Sequence, residues 1–286
     1  MHNIPHSTAN STETPPLFAV SRVNVGDQCI TLRTWLGAGP PLLLIHGIGS
    51  TGSSWESAIP ALAKVVTPIT LDLLGHGNSG KPEHGYLYDD YIDDIDGVLA
   101  ALGIDRPLLM GHSLGGIVAL WWAARHPDRA AGIVVADSPL RSGYDFVPAF
   151  DGWLKQNAMP VSELTEWYLT EHPDWTPTQA RSRAEVMTGT ARNVFVELRA
   201  DSLAHDGVDR LAEIAHVTSP ILLVRGDPET GSMVVPADAD AFAERLPNAR
   251  VARIPGAGHA LHRTHTDAFM ALAIPFLLKH AGNGKD

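Results

Sequence analysis

Residues 108–120 read LLMGHSLGGIVAL, a short apolar run, a glycine-rich turn and then an unbroken helical pattern. The apolar run suits a strand buried on both faces, and the change of period places a helix directly after it. Gly111-His112-Ser113-Leu114-Gly115 fits G-x-S-x-G. In that motif a tight strand-to-helix turn pushes the serine hydroxyl into the open, and glycines flank it because larger side chains would collide. The helix N-terminus that follows offers free N–H groups and a positive dipole end to a forming oxyanion.

The same rhythm runs along the chain. Apolar runs at 42–45, 65–71, 107–110, 132–136, 221–225 and 249–254 are bounded by Gly, Pro or Asp, and helical patterns at 55–63, 88–102, 114–125, 237–245 and 266–280 lie between or after them. Two alternating stretches over 17–36, joined by Gly-Asp-Gln, suggest an opening hairpin. Alternating strand and helix predict a mostly parallel, doubly wound α/β sheet. From 139 to 216 no strand candidate occurs, only helical segments carrying Trp153, Trp167, Tyr168, Trp175 and Phe195. A helical insertion after the sixth strand, at the ligand-binding end of such a sheet, is expected to act as a lid. The expected organisation is a floppy leader (1–16), a core (17–138 and 217–280), a cap (139–216) and a tail (281–286).

With 286 residues and 44% hydrophobic content, the chain can bury a full α/β core. Its 21 basic and 32 acidic residues give a net charge of −11, which argues against nucleic acid and anionic membranes as partners. Cys29 is the single cysteine, so neither an internal disulfide nor a Cys-rich metal site is available. No apolar run approaches the ~18 residues a membrane span needs. The leader lacks the features of a secretory signal, and a cytoplasmic location is expected.

A serine needs a base and an orienting acid to become a nucleophile. His259, in RIPGAGHALH, follows the last strand candidate and precedes the last helix, where a loop can carry the base. His259, His262 and His265 are three apart, but on a loop they would point in different directions, so no metal is expected. For the acid, the loop Gly226-Asp227-Pro228-Glu229 offers Glu229 first and Asp227 third, and Asp137, at the end of the preceding strand, ranks between them. The oxyanion donors are expected at the N–H of Leu114 and of Ile48, with Gly47 letting the backbone approach the substrate. His46 reads as a loop-orienting side chain. The run Asp89, Asp90, Asp93, Asp94 and Asp96 reads as a solvated helix face.

HGIGSTGSSW, DLLGHGNSG, MGHSLGG, a GDPE loop and GAGH occur in the order found in the α/β-hydrolase superfamily, which the chain resembles from residue 42 to 265. The resemblance implies an α/β-hydrolase fold, a Ser-His-acid triad, no cofactor and a structural role for Asp72 and the 75–79 turn. Glu229 stands where the family's Gly-x-x-Asp has its aspartate, and related esterases, dehalogenases and lactonases use a carboxylate at the position of Asp137. The lid helices of such proteins sometimes mediate homodimers.

The expected activity is hydrolysis of a small, fairly apolar carboxylic ester or lactone, with Trp153, Trp167 and Trp175 as candidate substrate contacts. A second reading in the same fold is a C–C bond hydrolase of aromatic ring-cleavage products, whose dicarboxylate substrates would favour an arginine among Arg181, Arg183, Arg192 and Arg199. A third is a non-catalytic receptor for a small ligand. Aspartate-nucleophile chemistries, as in epoxide hydrolases and dehalogenases, are disfavoured by the serine at position 113.

Overall fold

Alternation within the strands decides the architecture. The computed structural model describes residues 17–141 and 143–282; the leader expected at 1–16 and residues 283–286 of the expected tail lie outside the described residues. Eight strands form one sheet in the order β1-β2-β4-β3-β5-β6-β7-β8. They are β1 (Phe18–Val25), β2 (Gln28–Trp35), β3 (Pro41–Ile45), β4 (Thr67–Asp72), β5 (Leu108–His112), β6 (Gly132–Ala136), β7 (Ile221–Arg225) and β8 (Ala249–Arg253). Only β2 runs against the others. Successive side chains leave opposite faces, so Leu43, Ile45, Leu109, Val135 and Leu223 enter one apolar layer while Leu42, Leu44, Met110, Val134 and Val224 enter the other.

Helices α1 (Ile59–Leu62), α2 (Tyr88–Leu102) and α3 (Leu114–Arg125) follow in the first half. The helix expected over 55–63 is not continuous. A 3₁₀ turn at Gly52–Trp55 precedes α1, whose second residue is Pro60. A proline is tolerated in a first helical turn, where its missing N–H is not needed, but it breaks a helix that starts several residues earlier. The acidic run on α2 is also not a uniform solvated face. Asp94 is buried, and loss of water, then Asp90 and Asp93, pushes its carboxyl up to about 7.

The insertion between β6 and β7 begins with α4 (Val147–Asn157), α5 (Val161–Glu171), α6 (Pro177–Gly189) and α7 (Arg192–Ala204). These helices carry a small core of their own around Leu164, Tyr168, Ala184, Met187 and Phe195. Glu197 ties the insertion to the body by accepting from the N–H groups of Gly85 (3.2 Å) and Tyr86 (2.9 Å), and Lys81 Nζ donates to the Gly189 carbonyl at 2.6 Å. The chain then returns through α8 (Arg210–Ile214), α9 (Pro236–Arg245), α10 (Leu261–Thr264) and α11 (Thr266–Ala281). Among the described residues no helix is long and apolar enough to cross a membrane.

Asp72, at the end of β4, is fully buried and gathers three donors: Gly52 N–H at 2.9 Å, Asn78 N–H at 3.0 Å and Arg33 Nη1 at 3.2 Å. It joins the turn at 75–79 to the loop after β3, which is the structural role expected of it. Asp72→Ala strands a half-buried guanidinium and two backbone donors, so it is expected to cost about 3 kcal/mol of stability. A urea midpoint equal to wild type would contradict this.

Candidate active site

Ser113 directly follows β5 and caps α3 with φ 52° and ψ −120°. Among the described residues only Ser113 and Asp137 (φ 46°) combine a side chain with positive φ. Such backbone costs on the order of 1–3 kcal/mol and persists where surrounding structure over-determines it. Here the neighbours do so. A Cβ on Gly111 would lie 2.2 Å from the Gly115 carbonyl oxygen, and one on Gly115 would lie 2.2 Å from that of Ile45. The turn therefore closes backbone against backbone. Ser113 N–H donates to Ala136 O at 3.2 Å, so the residue after Ala136, Asp137, emerges beside the serine.

Asp137 is fully buried at the end of β6 and is the acid that meets His259. Its Oδ2 accepts from His259 Nδ1 at 2.8 Å and from Met233 N–H at 2.8 Å; its Oδ1 accepts from Ser232 Oγ and, at 3.4 Å, from Gly226 N–H. A buried carboxylate survives when its lone pairs are used this fully. The bond to Nδ1 assigns the proton to that nitrogen and leaves Nε2 of neutral His259 basic. Behind His259 stands His112, whose Nε2–H donates to the His259 carbonyl at 2.9 Å with ring centroids 4.5 Å apart.

The preference for Glu229 is corrected by this geometry. Glu229 is exposed in the 3₁₀ turn Pro228–Thr230, and no hydrogen bond joins it to His259. Asp227 is engaged elsewhere: Arg253 and the Gly256 N–H (2.8 Å) bind its carboxylate. Those bonds, the Arg253 guanidinium foremost, hold it down at about 2. Asp227 thus anchors the loop that leads to His259.

Two histidines shape the opposite wall. His46 accepts the Leu73 N–H at Nε2 (2.9 Å), so its Nδ1 carries the proton and donates to the Gly47 carbonyl at 2.7 Å. His76 accepts the Gly49 N–H at Nε2 (3.0 Å) and donates from Nδ1 to the Leu74 carbonyl at 2.9 Å. Ile48 is therefore held on both sides, and its own N–H has no partner among the described residues. Leu114, as the first residue of α3, presents another N–H that the helix does not use. Gly47 is pressed against the site, since a Cβ there would lie 3.0 Å from both His112 Nδ1 and Ser113 Cβ. The loop-orienting part of His76 is not legible in the sequence; nothing local distinguishes it from the rest of its glycine turn.

A cavity opens beside Ser113, Ile48 and Leu114 and extends under the lid to Phe150, Trp153 and Met233. Of the three lid tryptophans, Trp153 lines it. Trp167 is 37% exposed and packs on Tyr168, and Trp175 stacks on His172 at 4.2 Å; neither lines the cavity. Phe146 and Phe150 also line it, and the signal for them in the sequence is their spacing: Phe146 just before α4 and Phe150 and Trp153 within it recur at helical intervals.

Burial, well ahead of other influences, lowers His46 from 6.5 to about 4 and takes His76 well below 6.5. Both imidazoles are neutral when folded and take up protons more readily when the chain unfolds. Their contribution to stability is therefore complete above pH 6.5 and is lost as pH falls below it, down to about 4 for His46. For His46 alone the loss amounts to about 3 kcal/mol. Urea midpoints measured across that range should fall steeply in the wild type and less steeply in His46→Asn; equal slopes would refute the assignment.

The sequence profile for the alpha/beta hydrolase fold matches residues 40–266. A 2-(acetamidomethylene)succinate hydrolase of Mesorhizobium japonicum is 30% identical over 272 residues, covering 91% of this chain and 95% of the relative. A 2-hydroxymuconate semialdehyde hydrolase of a Pseudomonas species (strain CF600) is 40% identical over 120 residues, 39% of this chain and 42% of the relative. The crystal structure of E-2-(acetamidomethylene)succinate hydrolase superposes with a TM-score of 0.78 at 26% identity, covering 91% of this chain and 99% of that one. With an eight-stranded sheet of that order, a serine turn after β5 and a helical lid after β6, the chain belongs to the α/β-hydrolase family.

Proposed function

We propose that the protein is a serine hydrolase that cleaves a small, fairly apolar carboxylic ester or lactone through an acyl-enzyme. The bond from His259 Nδ1 to buried Asp137 at 2.8 Å carries this reading, because it leaves a neutral imidazole with its basic nitrogen at Nε2. Ser113 Oγ adds to the substrate carbonyl carbon as its proton passes to His259 Nε2. The carbonyl π pair moves to oxygen, where the N–H groups of Ile48 and Leu114 stabilise the charge. Collapse restores the carbonyl and breaks the C–O bond, and the departing alkoxide takes the proton from His259. Water, deprotonated by the same nitrogen, then releases the acid and restores Ser113. Among the described residues His259 bonds Asp137 and His112 and makes no hydrogen bond to Ser113 Oγ, and the Ser113–His259 bond forms as substrate binds, which is ordinary for such sites. The apolar cavity under Trp153 and Phe150 supports an apolar acyl or ring portion, bound mainly by area removed from water.

A second reading, hydrolysis of a C–C bond beside a ketone, is favoured by the 40% identity to the 2-hydroxymuconate semialdehyde hydrolase over 120 residues. It uses the same residues with a carbanion as leaving group.

The test is a 4-nitrophenyl ester series, acetate to decanoate, together with one aromatic lactone. Ser113→Ala and His259→Ala should each lose on the order of 10³-fold or more in kcat, and Asp137→Asn on the order of 10⁴-fold, with folding intact. Glu229→Gln should stay near wild type. A greater loss in Glu229→Gln than in Asp137→Asn would move the acid to the later loop. Absence of ester and lactone turnover, with turnover of a dienoic ring-cleavage product, would replace the first reading by the second.

A further inference from the structure

The cavity beside Ser113 is apolar along most of its length and polar at its far end. Ser113 caps α3, and Ile117, one turn on, lines the same cavity. One turn further lies Trp121, whose ring is covered by the Arg210 guanidinium at 4.4 Å; the same guanidinium stands 5.8 Å from the ring of Tyr88. Tyr88 therefore borders the cavity two helical turns from the serine, roughly 12 Å along α3 at 1.5 Å per residue. The lid side makes the same change within one turn. Leu198 and Ser202, four apart on one side of α7, both line the cavity, the first with an apolar chain and the second with a hydroxyl.

Tyr88 and Ser202 are held side by side. The Tyr88 N–H donates to Asp201 Oδ2 at 2.9 Å, which docks the start of α2 against the residue next to Ser202. Ser202 Oγ accepts the Gly143 N–H at 3.0 Å, so its own hydrogen is directed elsewhere. Ser202 is 2% exposed and Tyr88 8%, and a hydroxyl at the wall of a dry chamber is costly unless it meets a polar partner. Burial, followed by the charge of Asp201, pushes the Tyr88 phenol up to about 12, so it keeps its proton and is a donor. The cations at this end are already matched. Arg210 pairs with Glu213 at 3.2 Å, and Arg141, which also lines the cavity, donates from Nε to Asp238 at 2.6 Å. What the far end offers a ligand is therefore neutral, two hydroxyls with the Asp201 carboxylate behind them.

We propose that Tyr88 and Ser202 form a specificity subsite for an uncharged hydrogen-bonding group, a hydroxyl or carbonyl, carried by the substrate at the end remote from its scissile carbonyl. The substrate is then an ester or lactone with an apolar or aromatic middle and a neutral polar tip. This rests on the reading of Ser113 and His259 as hydrolytic machinery, and it assigns a substrate class to that machinery.

The probes are 4-nitrophenyl phenylpropanoate and its para-hydroxy and para-carboxy counterparts, which share a leaving group and a ring. Wild type should prefer the hydroxy ester, and the carboxy ester should be the poorest. Tyr88→Phe should lower the hydroxy-over-phenyl ratio of kcat/KM by about tenfold, mainly through KM, as expected for one hydrogen bond lost in a dry site. Ser202→Ala should lower it in the same direction by a smaller factor. Tyr88→Phe keeps the ring that stands beside Arg210, so the variant is expected to fold. Calorimetric titration of Ser113→Ala with methyl phenylpropanoate and its para-hydroxy counterpart gives a readout free of turnover. A binding preference for the hydroxy ester that disappears when Tyr88→Phe is added supports the subsite even if no 4-nitrophenyl ester is hydrolysed, in which case the hydrolase reading alone fails. Equal kcat/KM for the hydroxy and phenyl esters in wild type, an unchanged ratio in Tyr88→Phe, or a preference for the carboxy ester overturns the subsite while leaving the hydrolase reading in place. With no turnover of any ester, equal or absent binding of the two methyl esters, or a preference that survives Tyr88→Phe, overturns it.

Discussion

A carboxylate with no exposure to water has to be compensated, and the way Asp137 is compensated organises the end of the sheet that carries Ser113 and His259. Its four donors come from three separate segments: the Gly226 loop after β7, the Ser232–Met233 stretch that follows, and the His259 loop after β8. Satisfying one buried charge therefore sets the relative positions of three strand ends. Because Ser113 is bonded through its backbone to the strand that carries Asp137, the serine is placed by the same constraint. Asp227 repeats the device on a smaller scale, with Arg253 and Gly256 holding the approach to His259.

The wall facing Ser113 is organised differently, by neutral groups. His46 and His76 lie with ring centroids 5.0 Å apart, each accepting one backbone N–H and donating to one backbone carbonyl. A neutral imidazole is suited to this because it is donor and acceptor at once, in a fixed direction. A lysine or a carboxylate in either position would leave one of the two backbone groups unmatched. The pair fixes the peptide on each side of Ile48, so the direction of the Ile48 N–H follows from bonds made by its neighbours and not from anything it does itself.

These features differ in how far they could be read from sequence. The strand–turn–helix at Ser113 is local, since its glycines, apolar run and helical pattern lie within a dozen residues, and the structure has it as expected. The parallel order and the lid after β6 follow from alternation and from a long stretch without strand candidates. The acid is a different kind of problem. Asp137, Asp227 and Glu229 all stand at strand ends of the right type, and what separates them is which loop folds back onto which. Arg253 captures Asp227 from 26 residues away, Glu229 turns to solvent, and Ser232 with Met233 completes a pocket around Asp137 from 95 residues away or more. No local pattern encodes that competition. The same holds for His76, whose partner is 27 residues distant, and for Trp167 and Trp175, which helical spacing alone cannot assign to the cavity or to the lid's own packing.

The lid's separate core bears on how such a protein diversifies. Tyr168, Met187 and Phe195 stabilise the insertion from within, and a few attachments such as Glu197 to residues 84–86 and Lys81 to Gly189 fasten it to the body. The residues that shape the space over Ser113 therefore sit largely on an insertion with packing of its own, although Phe150, Val194 and Leu198 also join the main core. Substitutions at Trp153 or Phe150 can alter the shape of the chamber without disturbing Asp137. Mutational drift can then sample new substrates in one stretch of the gene while selection holds the rest still.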